Sequence, residues 1–114
     1  MPLLTISTNI SLDNETAQAL CLKSSSHVAS ILGKPESYVM VSIHTSIRMS
    51  FAGDASPCAS VELKSLGLPE NETTAFSASL CDFIKQQTGI PTERIYLEFS
   101  SPERHMWGWD RRTF

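Results

Sequence analysis

Cysteine is scarce in this sequence, and the three present form no framework. Cys21, Cys58 and Cys81 are an odd set without Cys-x-x-Cys spacing, which speaks against a disulfide scaffold and for reduced, mostly buried thiols. His27, His44 and His105 are equally dispersed and make no ligand pattern with the cysteines, so no metal is expected. Cationic residues are also few. Nine Lys and Arg stand against twelve Asp and Glu, a net charge of -3, where a nucleic-acid partner would require a clustered basic surface. No apolar run approaches the roughly 18 residues of a membrane span. The first residues offer neither a basic patch nor an apolar signal core. A cleaved leader is therefore not expected, and the expected location is the cytoplasm. The sequons at Asn9, Asn14 and Asn71 then read as chance matches.

What remains is ordinary globular material. A chain of 114 residues that is 41% hydrophobic and 18% charged can close one core, so residues 1–114 are expected to form a single domain. The chain is built twice. The stretch Gly33-Lys34-Pro35-Glu36-Ser37-Tyr38-Val39-Met40-Val41 returns in outline as Gly89-Ile90-Pro91-Thr92-Glu93-Arg94-Ile95-Tyr96-Leu97, a weak internal repeat. Each half reads strand, helix, strand. The first helix should start near Asp13 or Asn14, either of which can cap free backbone N–H groups. Ala17, Leu20, Cys21, Ser24, Val28, Ile31 and Leu32 fall on one helical face. The second should start near Asn71 and bury Phe76, Leu80, Cys81, Phe83 and Ile84. Gly33 with Pro35, and Gly89 with Pro91, should stop the two helices.

Alternation marks the strands. Val39, Val41 and Ile43 share a face, as do Ala59, Val61 and Leu63, and then Ile95, Leu97 and Phe99. Met40, Ser42, Glu62, Tyr96 and Glu98 point the other way. The fold class is therefore a two-layer α+β arrangement of duplicated β-α-β units: a four-stranded sheet with both helices on one face. The opposite face is left to water or to another subunit.

Several short pieces now fall into one order. They are Met1-Pro2 ahead of a strand ending Ser7-Thr8-Asn9, Gly33-Lys34-Pro35 with Tyr38, and Met49-Ser50-Phe51-Ala52-Gly53. Pro57-Cys58-Ala59, Ser65-Leu66-Gly67, Arg94-Ile95-Tyr96, Gly108-Trp109 and Thr113-Phe114 follow. In that order the chain resembles, over nearly its whole length, the macrophage migration inhibitory factor and D-dopachrome tautomerase group of the tautomerase superfamily. The resemblance implies a ring-shaped homotrimer that encloses a channel, and a reaction without cofactor. It makes Pro2, exposed by removal of Met1, the catalytic base. A buried amine near cations has a lowered pKa and can both take and return a proton near neutrality. Lys34 would attract a substrate carboxylate at the pocket mouth. Ser65 and Leu66 would contribute backbone groups and an apolar contact. Tyr96 and Glu98, two residues apart on a strand and so pointing the same way, would reach the pocket from the neighbouring subunit. Trp109 and Phe114 would supply apolar walls.

The chain departs from the family pattern at named positions. Migration inhibitory factor itself has an Asn where Glu98 stands, and the small apolar residue usual before Gly-Trp is Trp107. Cys58-Ala59-Ser60-Val61 lacks the second thiol that a dithiol redox role needs. Asp110-Arg111-Arg112 is more charged than the usual ending, as a solvated tail or an extra anion site. The implied activity is keto–enol tautomerisation of phenylpyruvate-like aromatic α-keto acids, with dopachrome-type isomerisation as a further reaction of this class. The alternative is a cytokine-like or regulatory binding protein with a vestigial pocket and a protein receptor, compatible with leaderless secretion.

Overall fold

The computed structural model describes residues 1–114. Strand β1 covers Pro2–Thr8, helix α1 Asn14–Leu32, β2 Met40–His44 and β3 Ala59–Ser65. Helix α2 covers Thr73–Thr88, β4 Ile95–Ser100, and the short strands β5 Gly108–Trp109 and β6 Arg112–Thr113 close the chain. The main sheet has the order β2-β1-β3-β4. Each β-α-β half is a parallel pair, β1 with β2 and β3 with β4, and the halves join where β1 runs antiparallel to β3.

Local chemistry sets the helix ends. Asp13 is extended, and its carboxylate accepts from the Thr16 N–H at 2.7 Å. That bond holds the Asp13 carboxyl below its usual range. At the other end Gly33 has φ 62°, a left-handed geometry that costs a residue without Cβ little. There the Gly33 and Lys34 N–H groups return to the Ser30 and Ala29 carbonyls. Gly89 at φ 79° ends α2 in the same conformation. The start of α2 differs from the sequence expectation. Residues Glu70–Glu72 form a 3-10 turn after Pro69, and the α-helix begins at Thr73.

One side of the sheet is the core. Leu4 and Ile6, then Ala59, Val61 and Leu63, meet Val28 of α1 and Phe76, Leu80 and Ile84 of α2 in one buried cluster. Each fully buried Leu or Ile side chain there contributes roughly 1.5–3 kcal/mol. Phe83, Cys81 and Ile31 lie at its margin, half-buried. Val39, expected within the strand, sits just before β2 as the residue that ends a 3-10 turn, though it still packs on the core. Of the free thiols only Cys58 is buried, with Cys21 and Cys81 half-exposed. Met40 is 66% exposed and Tyr96 69%, so the second face of the sheet is uncovered in the single chain.

The charged ending, expected as a solvated tail or an extra anion site, is exposed but ordered. Strands β5 and β6 form a tight hairpin whose turn residues Asp110 and Arg111 both take positive φ. Its Arg112 guanidinium lies 4.6 Å over the Trp109 ring.

Candidate active site

The site begins with strand register. β1 starts at Pro2, which is fully buried. A proline is tolerated at a first strand position because no ladder donor is lost there. Antiparallel pairing sets Pro2 opposite Ser65, and parallel pairing sets Leu3 opposite Met40. The end of β3 turns sharply at Gly67, φ 67°, and that turn presents the Leu66 carbonyl. Lys34, fixed by the cap of α1, reaches across and donates to the Ser65 hydroxyl at 2.8 Å and to the Leu66 carbonyl. Two of its three ammonium donors are thus taken by Ser65 at the end of β3 and by Leu66 just after it.

The ammonium of Lys34 also lies near the amine of Met1. That amine is pushed below the ordinary α-amine range, first by burial, then by the Lys34 charge, by a hydrogen bond from Lys34 to its neutral form, and by the Arg104 charge. Arg104 is itself tethered, its Nε donating to a main-chain oxygen of Phe114 at 3.1 Å.

Beside Pro2 opens a pocket of about 380 Å³. Its walls are mainly Met1, Tyr38, Met40, Trp107 and Trp109. Trp109 meets Tyr38 edge-on at 6.2 Å and stacks on Phe114 at 6.0 Å. Apolar aromatic walls beside a lowered-pKa amine, with the Lys34 and Arg104 charges acting on that amine, suit a flat, anionic, aromatic ligand.

The residues singled out from sequence divide into two groups. Pro2 and Trp109 share the pocket wall, with Phe114 stacked on Trp109 outside it, whereas Lys34 and Ser65 pair with each other next to Pro2 without lining the pocket. Leu66 is 6% exposed, and it offers its carbonyl to Lys34 where a side-chain wall was expected. Tyr96 and Glu98 lie on β4, at the sheet edge opposite β2, in a separate shallow depression with Ser60, Val61 and Leu97. Within one chain they do not reach Pro2. Glu62 stands opposite Glu98 in register, so two carboxylates face the same way there. Tyr38 and Met40 are pocket residues that sequence reasoning had not placed in the site. Their signal was two large side chains, two residues apart, beside a strand whose neighbour begins at Pro2. No group of three or more His, Cys, Asp or Glu side chains converges closely enough to hold a metal ion. No helix is long and apolar enough to cross a membrane.

The chain is similar to known proteins along its full length. The family model for macrophage migration inhibitory factor matches residues 1–114. A macrophage migration inhibitory factor homolog of Trichinella spiralis is 36% identical over 115 residues, covering 100% of both chains. A D-dopachrome decarboxylase-B of Xenopus laevis is 33% identical over 101 residues, covering 87% of this chain and 85% of its own. Among solved structures, a macrophage migration inhibitory factor homologue from Prochlorococcus marinus superposes with a TM-score of 0.90 at 37% identity, covering 98% of each chain.

Proposed function

Because the chain belongs to the macrophage migration inhibitory factor family, we propose that it is a cofactor-independent keto–enol tautomerase of phenylpyruvate-like α-keto acids. Membership of that family supports a tautomerase or cytokine-like role in general. The finer reading rests on one juxtaposition: a buried Pro2, the Lys34 ammonium and an aromatic-walled pocket at the same end of the sheet.

Removal of Met1 would leave the amine on Pro2 and clear a side chain from the pocket. Burial and the nearby cations that lower the Met1 amine act in the same direction on an amine one residue deeper. In its neutral form the Pro2 nitrogen takes a proton from the carbon α to the carbonyl, and the resulting ammonium gives that proton to the enolate oxygen. The reverse sequence forms the keto acid. No atom or electron is gained or lost. Once Met1 is gone, the Lys34 donor that reaches its amine is free to hold the substrate carboxylate, while Trp107, Trp109 and Tyr38 hold the ring. In this reading the active form is a homotrimer, in which Tyr96 and Glu98 of a neighbouring subunit complete each pocket. The uncovered sheet face and the distance of β4 from Pro2 support it.

A binding role is the second reading, favoured by the position of Met1, which lines the pocket it would block if retained. An N-terminal mass measurement coupled to a phenylpyruvate tautomerase assay decides between them. The expected result is a chain starting at Pro2 whose activity collapses in Pro2→Gly and in a Met1-retaining form, with assembly intact. Full activity with Met1 retained would overturn the base mechanism and leave receptor binding as the better reading.

A further inference from the structure

The loop between β2 and β3 is long, and its middle is strained. Phe51 and Asp54 exchange both backbone hydrogen bonds, at 2.9 and 3.0 Å, around Ala52 and Gly53. Ala52 therefore takes φ 54° and Gly53 φ 71°, and a Cβ at the first of these is unfavourable. One side chain gathers this turn. Arg94, in the 3-10 turn before β4, donates through Nη1 to the Phe51 carbonyl at 3.3 Å and through Nη2 to the Asp54 carbonyl at 2.9 Å. It also reaches the Ser56 and Pro57 carbonyls at 3.1 and 2.9 Å. Its guanidinium lies 5.3 Å from the Phe51 ring centre.

All four partners are neutral carbonyl oxygens, which only a planar fork of donors can collect from one position. The consequence reaches the open face of the sheet. With the turn so fixed, the Phe51 ring meets Tyr96 edge-on at 4.8 Å. Tyr96 is otherwise 69% exposed. Asn9 braces the far end of the same loop by accepting from the Cys58 N–H at 2.9 Å and donating to the Ala55 and Ser56 carbonyls.

We propose that Arg94 is a positioning residue for the pocket: it folds the 51–57 loop so that Phe51 sets the direction of Tyr96. This rests on the reading that Tyr96 completes the pocket of a neighbouring subunit, and it adds the device that holds Tyr96 ready before substrate arrives.

The test uses the two tyrosines of the chain, Tyr38 and Tyr96. Fluorotyrosine labelling gives two fluorine NMR resonances, assigned by Tyr96→Phe. Arg94→Lys keeps the charge and loses the fork. It should shift the Tyr96 resonance and leave that of Tyr38 in place. It should also raise KM for phenylpyruvate by roughly 3- to 10-fold, the reach of one misplaced neutral contact, with kcat and the pH midpoint unchanged. In a Tyr96→Phe background the same substitution should add about twofold or less, because the two act as one unit. Phe51→Leu leaves the clamp in place and should reproduce the resonance shift, which keeps the test open if Arg94→Lys folds poorly. An unmoved Tyr96 resonance in folded Arg94→Lys overturns the proposal, as does a KM effect that persists in full without the Tyr96 hydroxyl. If the wild-type protein has no tautomerase activity, the functional reading fails on its own, and the resonance shift alone decides whether Arg94 orients Tyr96.

Discussion

Replacing Lys34 with methionine removes an ammonium and keeps an apolar stem of similar length, so it separates three effects of one charge. The first is structural. The Ser65 hydroxyl is fully buried and loses its 2.8 Å donor, keeping only a 3.5 Å approach to the Leu66 carbonyl. Leaving such a group poorly paired costs about 1–3 kcal/mol, which urea denaturation reads directly. The second is binding. A charge-assisted hydrogen bond to a carboxylate is worth about 1.5–3 kcal/mol, or roughly 10- to 150-fold in KM. Lys34 is half-buried, so solvent screening favours the lower part of that range, about 10- to 30-fold. The third is the amine. Burial first and the Lys34 charge next lower the Met1 amine, and both act in the same direction on the Pro2 amine once Met1 is removed. The pH–rate midpoint should therefore rise in Lys34→Met yet stay below the ordinary α-amine value of about 8. Initial rates of phenylpyruvate tautomerisation across pH supply KM and midpoint together. A folded Lys34→Met protein with wild-type KM and an unmoved midpoint refutes the reasoning. Lys34 would then merely tie the end of α1 to β3.

Two predictions concern the helical layer. His27 of α1 stacks on Phe83 of α2 at 4.4 Å and shares a hydrogen bond with the Ser79 hydroxyl at 3.0 Å; burial lowers its pKa, outweighing the opposing effect of Ser79. Below the unfolded value of about 6.5 the unfolded chain binds the extra proton, so this contribution is complete above about pH 6.5 and is lost as pH falls towards the folded value. Urea midpoints should drop between about pH 7 and pH 5 in the wild type and less in His27→Gln; equal slopes would show that His27 plays no part. Ser24 of α1 is fully buried, and its hydroxyl has no hydrogen-bond partner. Ser24→Ala should therefore stabilise the protein by about 1 kcal/mol in denaturant titration, through relieved desolvation and better helix propensity. A loss of that size would instead mean that the hydroxyl is satisfied by bound water.

Signals that act over a few residues were legible in the sequence. Asp13, Gly33 and Gly89 end helices through backbone groups within four positions of themselves, and alternation along Ala59–Ser65 was sufficient to assign its buried face. The start of α2 was misplaced because Asn71 is a good capping type by composition, whereas Pro69 and the Glu72 N–H close a 3-10 turn first. The site was less accessible. Lys34 and Ser65 are joined by the register of β1 with β3 and by a turn after β3, and no spacing along the chain announces either. Only the family resemblance links them. Trp107 was legible as a departure from the family pattern that would narrow or reshape the pocket, and it lines the pocket wall just ahead of the hairpin that the charged ending forms.

The duplication explains where the two halves had to part. The shift that carries Gly33 onto Gly89 also carries Lys34 onto Ile90, Tyr38 onto Arg94 and Met40 onto Tyr96. Met40 and Tyr96 remain alike, each large and exposed near the start of an edge strand. The other two pairs have diverged completely. Ile90 is 1% exposed and belongs to the core, whereas Lys34 is turned onto β3 beside the amine. Tyr38 walls the pocket, whereas Arg94 draws in a loop beneath Tyr96. The first half thus carries the amine, Lys34 and Tyr38, and the second carries an oriented phenol with a carboxylate two residues on, besides the two pocket tryptophans at its end. Pro2 lies on the inner strand β1 and Tyr96 and Glu98 on the edge strand β4, with β3 between them, and within one chain the two sets line separate depressions. Bringing the β4 edge of one subunit against the β2 edge of the next would join the two half-sites across the interface. An assembly that failed to form should therefore lose selectivity for hydroxylated aromatic substrates while each subunit kept its fold.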